Sequence, residues 1–198
     1  MPSLLFARPC GTRWLAEQAV DISLPAGKVS AVQQNAEVAV GSTLQVAVSG
    51  DSFLRPATCR YVGENAYIFV QDNLWDVVVV QPSIDRLGDV FDRSTPADST
   101  RGIYEMATEA FGAAPDVDGD RRIFIFVIDM PNDQIVGYFD PRIATHVDPS
   151  LRKDAVYLDG YHLNANPNLV RGTLAHEFQH LIHWGHDEDE EIWIDEGL

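Results

Sequence analysis

The stretch from Asn166 to Gly185 constrains this chain more than any other, because a single helix accounts for all of it. Asn166 stands at an N-cap position, where a side-chain oxygen accepts from a free backbone N–H. Pro167 follows at the first helical position, where its missing N–H does no harm. Leu174, Phe178, Leu181 and Ile182 recur at helical spacing and make an apolar stripe for a core. Gly185 is expected to stop the helix. The same helix carries His176-Glu177-Phe178-Gln179-His180, an H-E-x-x-H segment, with the small Gly172 one turn before it. Residues four apart on a helix differ by about 40° in direction and about 6 Å along the axis. Both imidazoles can therefore address one zinc ion, at about 2.0–2.1 Å each. Glu177 can reach a water on that ion without occupying a coordination position, which is what a general base requires. The metal would lower the pKa of that water to about 7.

A catalytic zinc site takes three protein ligands and leaves a position open. Two further donors lie near. His186 follows His176 by ten residues, the spacing of H-E-x-x-H-x-x-G-x-x-H. That pattern needs glycine at its eighth position, which here is His183; Gly185 comes two residues later and leaves little chain to bring His186 round. His183 lies about 10 Å along the axis from His176. Both histidines read as a solvated helix end. Glu196 follows the acidic run HDEDEE and the trio Ile192, Trp193 and Ile194. Acidic residues suit the start of a second helix, where they meet the positive end of its dipole. On spacing alone, Glu196 is equally well a surface residue.

Upstream, the pattern is that of a mixed α+β layer fold. EVAVGSTLQVAVSG alternates apolar and polar residues around Gly41, which predicts a strand, a turn and a second strand. ATCRYVGENAYIFVQ predicts a hairpin turning at Gly63-Glu64-Asn65. Ile84, Leu87, Val90 and Phe91 then recur at helical spacing, as do Ile103, Met106, Ala107, Ala110 and Phe111, with Gly112 and Pro115 closing the second helix. RIFIFVID is a short apolar run, expected to be a central buried strand. IVGYFD and DAVYLDG predict two more strands joined by a polar loop, either of them able to hold a peptide by strand addition. Tyr157 and Tyr161, near the expected sheet edge, serve packing or line a cleft.

The 198 residues can bury one sizeable core, and residues 1–36 read as a leader or propeptide-like segment before a domain spanning 37–198. A formal net charge of −16 repels nucleic acid and anionic membranes, so neither is expected as a partner. There is no run of 18 apolar residues to span a bilayer. MPSLLFARPCGTRW lacks a charged region before its apolar patch and is a poor signal peptide. Cys10 and Cys59 are either paired in an oxidising compartment or separate buried thiols. Asp116, Asp118 and Asp120 alternate around Gly119 like the front half of a calcium loop, without the twelfth-position Glu of an EF-hand. The plain alternative is a polar turn before RIFIFVID. The chain has no G-x-S-x-G and no phosphate-binding glycine loop.

HEFQH followed by Trp193-Ile194-Asp195-Glu196-Gly197-Leu198 resembles the gluzincin zinc metallopeptidases, and most closely the secreted bacterial peptidases of the hyicolysin type. VGYFDP and DVDGDRRIFIFVID fit the same resemblance, which covers roughly residues 55 to 198. It implies a zincin-like upper subdomain with a twisted mixed sheet, zinc held by His176, His180 and Glu196, and Glu177 as the base. It also implies a monomeric secreted endopeptidase acting on protein or peptide substrates. Asp195 departs from the family, where Asn is commoner. A helical lower subdomain, with the residue that stabilises the transition state, is expected beyond Leu198. The rival expectation is a non-catalytic module whose metal site is structural, with four protein ligands closing it.

Overall fold

The structure, a computed structural model, describes residues 10–12, 38–49, 51, 53–146 and 152–187. Strands β1 (Thr43–Ala47), β2 (Leu54–Val62), β3 (Ala66–Gln71), β4 (Ile123–Ile128), β5 (Gly137–Phe139) and β6 (Ala155–Asp159) form one mixed sheet in the order β1-β2-β3-β4-β6-β5. Strands β1, β2 and β3 pair antiparallel; β3, β4 and β6 are mutually parallel; β5 runs antiparallel to β6. Among the described residues the helices are α1 (Gln81–Asp92), α2 (Ile103–Phe111), α3 (Pro141–Ala144), α4 (Gly160–Ala165) and α5 (Pro167–His186). The expected mixed α+β architecture is what the chain forms. No helix among the described residues is long and apolar enough to cross a membrane.

Every residue of β3, β4 and β6 is buried, so both faces of the parallel centre are covered, and this is why RIFIFVID carries no polar alternation. One face presents Ile68, Val70, Ile125, Val127, Val156 and Leu158 to a core shared with α1, α2 and α5. The other carries Tyr67, Phe69, Phe124, Phe126, Tyr138 and Tyr157, with the last two rings stacked at 4.5 Å. Tyr157 is thus a packing residue, while Tyr161 on α4 is exposed.

The predicted hairpin turns at Gly63-Glu64-Asn65, and α1 pins it. Asp92, at the end of α1, accepts from the backbone N–H groups of Glu64 (3.0 Å) and Asn65 (2.9 Å) and from the Tyr61 hydroxyl (3.1 Å). Burial, with the Asp92 charge beside it, pushes the Tyr61 phenol up to about 12.

Four expectations need correction. Of the strand pair around Gly41 only the second forms: residues 38–42 make a turn, with Gly41 at φ 95°, and β1 pairs with β2 instead. Helix α2 buries Ile103 and Ala107, but Ala110 and Phe111 face outward. Helix α5 runs through Gly185 to His186, and Gly185 lies against Pro115, where a Cβ would sit 3.0 Å from that ring. The glycine serves close packing rather than termination. Finally, β6 is paired on both sides, so DAVYLDG offers no free edge; β5 is the outer strand.

Candidate metal centre and active site

Helix α5 begins as its sequence dictates, with the Asn166 side chain accepting from Leu169 N–H at 3.2 Å and Pro167 in the first turn. Its stripe of Leu174, Phe178, Leu181 and Ile182 is fully buried. Phe178 packs edge-on to Phe91 (5.2 Å) and stacks on Tyr104 (5.6 Å), which ties α5 to α1 and α2. The helix lies close over β5 because Gly137 has no side chain: a Cβ there would stand 2.6 Å from the Thr173 methyl and 2.8 Å from the Tyr157 carbonyl.

This packing fixes the rotation of α5 and aims its two motif histidines at one point. The Nε2 atoms of His176 and His180 stand 3.0 Å apart, with the rings nearly perpendicular. Two nitrogens on neighbouring corners of a zinc tetrahedron would be about 3.3 Å apart, so the pair fits that ion. Glu177 is buried beside them. Its Oε2 accepts from the Phe139 amide of β5 at 3.2 Å and from the Thr12 hydroxyl at 2.8 Å. The backbone of the outer strand therefore meets the carboxylate directly.

A third donor joins the histidines from far away in sequence. Cys10 Sγ lies 3.2 Å from His180 Nε2 and 3.6 Å from Glu177 Oε2. Cys10, His176 and His180 each offer one ligand atom within 4.8 Å of the others. The cysteines are not bonded to each other. Cys59 is buried in β2, its thiol donates to the Tyr61 carbonyl at 3.3 Å, and burial pushes that thiol up to about 11.

His186 does not join this cluster. It is exposed at the end of α5 with its ring against Gly112, the residue that closes α2 at φ 103°. His183 meets the edge of Phe111 at 5.2 Å. Glu196, with the Trp193-to-Gly197 stretch, lies outside the described residues.

The second acidic cluster differs in membership from the expected loop. Asp116 and Asp118 converge with Asp154, not with Asp120. Asp120 instead accepts from the Tyr67 hydroxyl at 2.6 Å and the Arg122 amide at 3.1 Å. Asp154 is fully buried, takes the Val117 N–H at 2.8 Å, and has its other oxygen without a hydrogen-bond partner among the described residues. Burial first, then the charges of Asp118 and Asp116, push its carboxyl up to about 6. Lys153 offsets part of that charge by pairing with Asp118 at 2.8 Å.

No family model matches the chain. A neutral metalloprotease, ShpI of Staphylococcus hyicus, is 28% identical over 161 aligned positions, which cover 72% of this chain. The chain is a distant homologue of that protease. It spans about a third (34%) of the length of that relative.

Sequence reasoning missed Cys10, Thr12 and Asp154 as members of these clusters. Cys10 and Thr12 fall in the segment expected to be a leader, and the one local hint is Gly11 between them. Asp154 precedes a strand like any boundary residue. Its partners are 36 and 38 positions away, beyond the reach of local spacing.

Proposed function

We propose that this chain is the metal-binding part of a secreted zinc-dependent endopeptidase, with a zincin-like arrangement of sheet and helix. The observation that supports it most is the convergence of the His176 and His180 Nε2 atoms at 3.0 Å, with the Glu177 carboxylate buried beside them. The homology to a neutral metalloprotease points the same way. His176 and His180 would hold zinc, with Glu196 as the third ligand. When bound, the ion supplies a Lewis acid that polarises the scissile carbonyl and acidifies water. Glu177 takes the proton of the attacking water and passes it to the leaving amine. The outer edge of β5 receives the peptide substrate by strand addition, since β5 is the last strand of the sheet and lies beside the motif. The Phe139 amide keeps the Glu177 carboxylate oriented. Calcium at Asp116, Asp118 and Asp154 is the accompanying proposal for the second cluster. The protein acts as a monomer on proteins or peptides.

One observation favours the rival, non-catalytic reading: Cys10 adds a fourth candidate donor to the proposed three, and four protein ligands close a zinc site.

The test is metal content and casein hydrolysis on the full-length protein. His176→Ala and His180→Ala should lose zinc. Glu177→Gln should keep zinc and lose roughly 10²–10⁴-fold in hydrolysis. Equal hydrolysis by Glu177→Gln and the parent would remove the general base. Zinc retained by Glu196→Ala but lost by His186→Ala would reverse the ligand assignment.

A further inference from the structure

We infer that Cys10 is a metal ligand of the closed state, and that Cys10-Gly11-Thr12 holds the proposed active site latent. The inference rests on the zinc-site reading above. Three consecutive residues engage all three parts of the proposed machinery, through partners more than 120 positions away in the chain. Cys10 Sγ reaches the histidine nitrogens, 3.2 Å from His180 Nε2. Neighbouring nitrogen and sulfur ligands on a zinc tetrahedron would be about 3.6 Å apart, so a thiolate fits there with little movement. Gly11 and its neighbours take the outer edge of β5. Cys10 forms a parallel bridge to Gly137, and the Gly11 N–H donates to the Gly137 carbonyl at 2.8 Å. Thr12 completes the edge. Its hydroxyl oxygen accepts the Phe139 N–H at 2.9 Å, and its proton goes to Glu177 Oε2 at 2.8 Å or to the Phe139 carbonyl at 3.2 Å.

The approach leaves no room for a side chain at the middle residue. A Cβ on Gly11 would lie 2.7 Å from the Ile135 methyl and 2.9 Å from the Gly137 carbonyl oxygen. A cysteine that merely filled a gap would need no such seat, nor a neighbour bonded to the base. The segment therefore occupies the strand edge that substrate needs and the carboxylate that must accept a proton. Its sulfur takes the coordination position that catalysis needs open. The Cys10 thiol gives its proton to solvent as the sulfur becomes a ligand. On release the sulfur takes a proton back, and the position returns to water. This explains how a four-donor site and a hydrolase can be the same protein in two states.

The test loads the full-length protein with cobalt in place of zinc and reads its spectrum. The parent and Cys59→Ser should show a sulfur-to-cobalt charge-transfer band, and Cys10→Ser should lose it while still binding one cobalt. X-ray absorption on the zinc form should find one sulfur at about 2.3 Å in the parent and none in Cys10→Ser. If the open form is about one-tenth populated, hydrolysis by zinc-loaded Cys10→Ser should rise roughly tenfold over the parent. Gly11→Ala, which expels the segment without touching the sulfur, should weaken the band and raise hydrolysis in step. Cobalt bound by the parent without a sulfur band overturns the ligand role and leaves the zinc reading standing. A sulfur band with no gain in hydrolysis for either variant overturns latency and leaves a closed structural site. No cobalt bound by the parent or by Cys10→Ser overturns the zinc reading itself.

Discussion

Asp154 holds its proton more tightly in the fold than out of it, because burial disfavours its charged form. The sign of the consequence follows. An unfolded aspartate titrates near 3.9, and the folded group near 6. Between these values the native state binds more protons than the unfolded state, so stability falls as pH rises from about 4 to about 6. Removing the charge should recover it. In chelator-treated protein, Asp154→Asn is expected to gain about 1–2 kcal/mol at pH 7 and to flatten that slope, as measured by urea unfolding across pH. The Asn oxygen can still accept from Val117. Millimolar calcium should reverse the order, stabilising the parent and not the variant, if Asp116, Asp118 and Asp154 bind the ion. A parent indifferent to calcium would reduce the cluster to a polar turn. Neither the partner set nor the shift was legible locally. The spacing of Asp116 and Asp118 was, while Asp120 turned to Tyr67 instead.

At the scale of elements, the decisive contact is α5 against β5. Gly137 sets their separation, and Gly137→Ala would drive a methyl into Thr173 and the Tyr157 carbonyl. The expected cost is about 1–3 kcal/mol, by overpacking. Because the displaced helix carries both histidines, zinc affinity should fall together with stability, which chelator competition and thermal unfolding can compare. Unchanged zinc affinity would mean the motif is positioned by its own helix geometry alone. Helix α5 itself was legible almost to the residue, since its cap, its proline and its apolar stripe are all short-range signals. Its end was not. Gly185 reads as a stop in sequence, but the fold uses it to admit Pro115. Likewise β1 was read with the wrong partner, because strand pairing depends on what else reaches the sheet.

Over the whole molecule the net charge of −16 opposes compaction. Added salt shortens the screening length from about 30 Å at 0.01 M to about 3 Å at 1 M. Sodium chloride over that range should therefore raise Tm by about 2–4 °C, on the order of 1 kcal/mol, in calorimetry. A Tm that drops would point instead to ion pairs such as Arg55 with Asp51 outweighing the repulsion. What the sequence by itself determined is whatever one helix or one strand can encode. The H-E-x-x-H pair, the carboxylate between its histidines, the buried β4 and the β2–β3 hairpin all follow from periodicities of a few residues. Only the tertiary structure decided which strand became the edge, which carboxylate joined Asp116 and Asp118, and that Cys10 would stand against His180, 170 residues later. Those choices depend on chain topology, which brings distant segments together through burial of apolar surface that carries no directional label. The helix with the H-E-x-x-H pair could be read from twenty residues, but the thiol beside it required the fold.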